Sequence, residues 1–373
     1  MDFGFSEDEE AVRDLAKQIL EEQVTHDRLK EVEAGEERID RDVWRKLGET
    51  GLLGIALPEH AGGAGLGFVA LGLVLEQVGR TVAPVPIMAS IVLGGLPVAE
   101  FGTRAQQETL LPGVVSGDTI LTAALVELGA EPAHPTTTAR PEGDGWRLDG
   151  VKVCVPAGMI ADRVLVPATT GEGKVGVFVV DPTAPGVTRE RQEATNLQIE
   201  AKLTLDGVVV GPDAVLGDPA EGAAVVDWIV ERATAALCAI AIGVCEEALR
   251  MTAEYTKTRE QFERPIATFQ AVGQRAADAY IDTEAIRLTA WQAVWRISAG
   301  LPAAAEVAVA KFWASEGGQR VVHAAQHLHG GMGVDRDYPL HRYFLWAKHL
   351  ELTLGGTTPQ LLKLGEILAT EPV

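Results

Sequence analysis

The spacing of apolar residues changes twice along this chain, and that double change limits the folds open to it. Up to about residue 118 they recur at helical intervals: Val12, Leu15, Ala16, Ile19 and Leu20 follow Ser6 and Glu9, which are spaced as a helix-capping pair. From about Ile120 to Gly217 the pattern becomes short Val- and Leu-rich runs punctuated by Pro and Gly, as strands require. Helical spacing then returns over roughly 223–257, 266–299, 303–328, 339–353 and 358–369, with Pro265, Pro302 and Pro339 near the starts of three segments. The expected fold class is α+β, mostly α. It comprises an N-terminal helical domain (1–118), a middle β-barrel-like or sandwich domain (119–218) and a C-terminal four-helix-type bundle (219–373). A chain of 373 residues is also too long for one hydrophobic core.

Local signals refine this order. A second helix should start after Asp40 and carry Val43, Trp44 and Leu47, and an apolar helix should span Phe68 to Val78. Thr103 should cap another helix that ends near Pro112 and Gly113. Asp149-Gly150, flanked by Trp146-Arg147-Leu148 and Val151-Lys152-Val153, predicts a two-residue hairpin turn.

Charge narrows the function classes. Acidic residues outnumber Lys and Arg by 53 to 32, and the net charge of −21 argues against nucleic acid or an anionic membrane as the main partner. An acidic chain that binds a polyanion must concentrate arginine locally. The three cysteines, Cys154, Cys238 and Cys245, form no C-x-x-C pair, and Cys238 and Cys245 share a helix face, as core residues would. The N-terminus, Met1-Asp2-Phe3-Gly4-Phe5, has neither a basic segment nor an apolar one. The longest apolar stretch, Ala233 to Cys245, falls short of the roughly 18 residues of a bilayer span. The expectation is a soluble, cytoplasmic protein.

Three motifs in order carry a family resemblance over the whole chain. They are Trp44-x-x-Leu47-x-x-x-Gly51-Leu52-Leu53-Gly54 through Pro58-Glu59 and Gly62-Gly63-x-Gly65; Tyr255 to Gln270, with Arg259, Phe262, Pro265 and Phe269; and His327-Leu328-His329-Gly330-Gly331-Met332-Gly333 followed by Tyr338-Pro339 and Arg342-Tyr343. The chain resembles the acyl-CoA dehydrogenase family. That resemblance implies FAD as cofactor, an acyl-CoA substrate, an electron-transfer acceptor, and a flavin site built by two chains.

The resemblance implies that one chain clamps the ADP portion of the flavin bound to its neighbour. Arg259 would meet the pyrophosphate, where a planar, always-charged fork suits phosphate oxygens. Gln261, Phe262, Phe269 and Gln270 would line the nucleotide, and His327 stands where the family usually has Gln. Gly330 and Gly331 would admit backbone close to the cofactor, and Glu263 stands where the family has Gly. Taken alone, Arg259 also reads as a surface arginine after a helix. The half that holds the flavin ring departs from the family. Val126 fills the position of a hydroxyl that meets the ring, and Cys154-Val155-Pro156 replaces a Trp-Ile-Thr strand.

The family's catalytic base departs too. Abstraction of the substrate α-proton needs a carboxylate within hydrogen-bond reach, opposite the flavin. Gly355 occupies its position, in Leu354-Gly355-Gly356-Thr357-Thr358-Pro359, and Ala233 occupies the position that some relatives use instead. Glu351 and Glu231 are the nearest carboxylates, and both are expected at the surface. The resemblance therefore implies a non-catalytic subunit of a heterotetramer (α2β2), similar to subunits of dehydrogenases acting on steroid side-chain CoA thioesters. Its partner would be a homologous subunit carrying the Glu. Two alternatives are a homo-oligomer with Glu351 or Glu231 as base, and a structural subunit that binds no cofactor. No metal site is expected: His323 and His327 share a helix face four apart but lack a third ligand. Trp291 and Trp295, with Ile281 and Leu288, read as a core or interface stripe.

Overall fold

The computed structural model describes residues 4–370. Met1, Asp2 and Phe3 of the N-terminal reading, and Glu371, Pro372 and Val373, lie outside the described residues. In order, the chain forms α1 (Glu7–Gln23), α2 (His26–Ala34), α3 (Arg41–Glu49), α4 (Gly67–Thr81), a π-helical stretch (Met88–Gly95) running into α5 (Leu96–Phe101), and α6 (Arg104–Ser116). Strands follow: β1 (Leu121–Ala123), β2 (Thr138–Glu142), β3 (Gly145–Pro156), β4 (Arg163–Gly171), β5 (Lys174–Val180), β6 (Val187–Glu193), β7 (Ile199–Val210) and β8 (Val215–Leu216). The rest is α7 (Gly222–Thr258), a short hairpin of β9 (Glu260–Gln261) and β10 (Arg264–Pro265), then α8 (Gln270–Ser298), α9 (Ala304–His329), α10 (Leu340–Leu352) and α11 (Thr357–Thr370). The chain is thus mostly helical with a sheet in the middle.

Packing groups these elements into two compact units. The first holds the chain up to Leu29, Phe68–Ala83 and everything from Thr234 on; the second holds Lys30–Gly67 and Pro84–Ala233. In the first unit, α1 starts with Ser6 capping Glu9 and the Glu9 side chain returning the bond, as the sequence predicts. α7 is long and apolar enough to cross a membrane by length and composition, but 78% of that stretch is buried inside the protein, which makes it a core helix. Cys238 and Cys245 lie within it, and complete burial pushes both thiols up to about 12.

The second unit is built on one eight-stranded sheet in the order β6-β7-β3-β2-β4-β5-β8, with β1 adding parallel to β4. Two local expectations fail here. Asp149-Gly150 is no turn: β3 runs straight through it with a register shift against β7. Asp149 Oδ1 accepts the Gly207 N–H at 2.8 Å, and a Cβ on Gly150 would fall 2.3 Å from Thr137 Oγ1. The glycine serves a bulge and a close approach, not a reversal. The β2–β3 turn lies instead at Gly143-Asp144, with Glu142 paired to Gly145 and Gly143 at φ +64°. Likewise α6 does not stop at Pro112 but ends at Gly117, at φ +84°. Proline removes one backbone donor there without removing the apolar face formed by Leu111 and Val114, which are buried.

Candidate cofactor-binding site

The first unit brings the expected nucleotide-clamping residues to the ends of α7 and α9 and the start of α8. The last turn of α7 is completed by Arg259, whose N–H donates to the Tyr255 carbonyl at 2.8 Å. The chain then reverses through β9 and β10, and Ile266 N donates to the Arg259 carbonyl at 2.8 Å to close the base of the hairpin. The turn residues Phe262 and Glu263 sit at φ +53° and +65°. A two-residue turn of this hand ordinarily uses glycine or asparagine. The tight turn is therefore kept without the glycine, at a cost of about 1–2 kcal/mol per left-handed residue.

The hairpin projects into solvent. Phe262 is 87% exposed, and its ring meets Phe269 edge-on at 6.2 Å, while the Arg264 guanidinium lies over Phe269 at 4.2 Å. The Gln261 side chain donates to the Glu260 carbonyl at 2.7 Å, and Gln270 opens α8 on the exposed surface. At the other end, α9 terminates at Gly330, whose φ of +59° with ψ of −136° suits glycine alone. A Cβ built on Gly330 or Gly331 would meet nothing within 4 Å, so this backbone lies open. His327 and Gly330 line a groove of ≈ 570 Å³ together with Arg275, His323, Gln326 and Val334. His323 and His327 do share one face of α9, and among the described residues no group of three ligating side chains gathers.

Arg275 is a residue that sequence reading missed, because no motif marks it; only the packing of α8 on α9 places it beside His323 and His327. Among the described residues neither Arg259 nor Arg275 has a carboxylate within ion-pairing distance, although acids are in large excess. Nearby Arg320, by contrast, is engaged by both oxygens of Asp282, at 2.6 and 2.8 Å. Unpaired guanidinium groups, open backbone and exposed aromatic rings are the chemistry that a phosphorylated nucleotide such as FAD requires, and the residues present fit it.

The second unit carries the positions expected to face a flavin ring. Val126 pairs through its backbone with Val153 and offers no hydroxyl. Cys154 is exposed at φ +51°, and Pro156 accepts from Thr122 Oγ1 at 2.7 Å. Next to Val126, Glu127 forms a buried ion pair that the sequence did not reveal. Lys152, fully buried, donates to Glu127 Oε1 at 2.6 Å, and the carboxylate also accepts from Thr136 and Thr137. Burial alone would raise the Glu127 carboxyl, but hydrogen bonds from Lys152 and Thr136 outweigh it and hold it at about 2.

The position at which the resemblance places the family's base leaves little room for a side chain. α10 ends with Lys311, on α9, donating to the carbonyls of Leu350 (2.5 Å) and Glu351 (3.0 Å); burial pushes this lysine down to about 8. The chain then turns through Leu354 and Gly355 at φ +57° and +89°, and Gln360 Nε2 donates to the Leu354 carbonyl at 3.1 Å. A Cβ on Gly355 would lie 3.2 Å from Pro359 Cβ. Ala233 is fully buried in α7. Glu351 and Glu231 prove half-buried rather than surface-facing, and each is already paired with a cation, Lys348 at 2.5 Å and Arg232 at 3.4 Å.

Comparison with known proteins matches this architecture end to end. The acyl-CoA dehydrogenase N-terminal domain matches residues 6–118, and the acyl-CoA dehydrogenase C-terminal domain matches residues 220–368. The acyl-CoA dehydrogenase FadE27 of Mycobacterium tuberculosis is 42% identical over 100% of both chains. Among solved structures, the ChsE4-ChsE5 complex from the same organism superposes with a TM-score of 0.95 at 42% identity, covering 100% of both chains. A variant of the Tcur3481-Tcur3483 steroid ACAD superposes at 0.91 with 49% identity, covering 98% of both. This chain belongs to the acyl-CoA dehydrogenase family, whose members are FAD-dependent flavoproteins.

Proposed function

We propose that this chain is the non-catalytic member of a heteromeric, FAD-dependent acyl-CoA dehydrogenase, and that it clamps the ADP portion of a flavin completed by a homologous partner subunit. The observation that carries this reading is the contrast between its two ends: Arg259, bonded through its backbone to the Tyr255 that stacks on His329, has no carboxylate partner, whereas the base position is a glycine in the left-handed region with Pro359 close by. Bound FAD supplies the acceptor for a hydride from the acyl thioester. This chain's part would be to bind and orient: Arg259 would meet the pyrophosphate, Phe262 and Phe269 would line the nucleotide, and Gly330-Gly331 with His327 would border it. Removal of the α-proton falls to the partner, because Glu351 and Glu231 are occupied by Lys348 and Arg232. The paired names of both solved neighbours support two unlike subunits, and the word steroid in one of them supports a steroid side-chain CoA thioester as substrate.

The test is purification of the tagged full chain alone and together with the subunit that accompanies it in its source cell. The pair should carry FAD and reduce an artificial electron acceptor, and the chain alone should do neither. In the pair, Arg259→Leu should speed FAD loss about tenfold or more, and Arg259→Lys should recover only part of that, since lysine cannot form the bidentate fork. Stoichiometric FAD and turnover in the chain alone would defeat the reading.

A further inference from the structure

Resting on that reading, we infer that His329 is a positioning residue: it ties the end of α7, which carries Arg259, to the end of α9, which carries Gly330 and Gly331, so that the two arms of the clamp hold one spacing. His329 is the last residue of α9 and is 3% exposed, although imidazole is a polar ring at a helix end that otherwise opens to solvent. Its ring stacks on Tyr255 at 4.3 Å with an interplanar angle of 23°. Tyr255 is the residue whose carbonyl receives the Arg259 N–H. Aromatic ring and backbone carbonyl of one tyrosine thus meet the two arms in turn.

The polar edge of the imidazole is equally committed. Nδ1 lies 2.8 Å from the Ala325 carbonyl, and Nε2 lies 3.2 Å from the Tyr338 hydroxyl. A carbonyl only accepts, so Nδ1 carries the proton; burial lowers the imidazole's pKa and so favours the neutral ring, in which Nε2 accepts from Tyr338 O–H. Tyr338 in turn sits beyond the Gly330–Val334 turn and packs edge-on to Tyr255 at 6.5 Å. A leucine of similar bulk would fill the space but hold neither the stack nor the hydroxyl. The turn that bears Gly330 and Gly331 would then lose its reference to Arg259. A guanidinium moved by about 1 Å loses the two-pronged fit to phosphate on which its advantage over lysine depends.

The experiment measures the rate of FAD loss from the complex of the full chain with its accompanying subunit, for His329→Leu, His329→Phe, Tyr338→Phe, Arg259→Leu and the double variant Arg259→Leu/His329→Leu. His329→Leu should speed FAD loss about tenfold, and His329→Phe, which keeps the stack, should restore most of it. Tyr338→Phe should have an intermediate effect. Because His329 acts through the placement of Arg259, adding His329→Leu to Arg259→Leu should change the rate by less than about twofold. A merely structural role would give multiplying effects in the double variant, and that result overturns the inference, as does FAD loss from His329→Phe as fast as from His329→Leu. If Arg259→Leu leaves FAD loss unchanged, the clamp reading itself fails and takes this inference with it. If Arg259→Leu matters and His329→Leu does not, only the positioning role fails.

Discussion

At the scale of single residues, the decisive position is Gly355. A glutamate there would have to adopt φ near +89° and place its Cβ against Pro359. That costs about 1–2 kcal/mol from the backbone alone. Gly355→Glu should therefore lower the melting temperature and give no dehydrogenase turnover in the isolated chain, although it restores the family's residue type. Thermal unfolding and an artificial-acceptor assay check both halves; turnover rising above background would show that the loop reshapes around a carboxylate. Arg259 makes the complementary point. It is the pairing of other arginines in the same unit, such as Arg320 with Asp282, that makes its own lack of a partner informative.

At the scale of elements, β3 holds the second unit together through its buried lysine. Removing the partner of a buried charge costs about 3–5 kcal/mol, whereas removing both charges costs far less. Glu127→Gln should lower stability to urea by that amount, and Glu127→Gln/Lys152→Met should regain most of it. The same pair sets an acid limit. Because the Glu127 carboxyl is held at about 2 in the fold and starts from 4.5 as a free group, its stabilisation is complete above 4.5 and is lost as the pH falls towards 2. Acid titration of wild type and Glu127→Gln should converge over that window; parallel curves would remove Glu127 from the account.

At the scale of the whole molecule, α8 shows what the protein leaves uncovered. Ile281, Leu288 and Trp295 recur every seven residues and are 62%, 61% and 50% exposed, and Leu361, Leu362 and Leu368 are exposed on α11. A row of large apolar side chains along one helix face marks an association surface. Leu288→Glu should weaken association with the partner subunit about tenfold or more, since it buries an unpaired carboxylate, while leaving the melting temperature of the single chain unchanged. Sedimentation velocity measures the first and a thermal melt the second. An undisturbed complex would move the contact away from α8.

Much of this could be read before any coordinates. The capping box at Ser6, the boundaries of α7 to α11 within a few residues, the buried cysteines and the helix face shared by His323 and His327 all depend on local spacing, which a linear sequence displays directly. The family and the cofactor were legible because they rest on residue identity within motifs. Tertiary structure alone decided the rest: that Asp149-Gly150 lies inside a strand, that Glu127 meets Lys152, that Arg275 borders the groove of His327, and that His329 joins Tyr255. These are contacts between segments far apart along the chain or in competition with a strong local signal. Burial and steric approach, rather than spacing or propensity, choose among them.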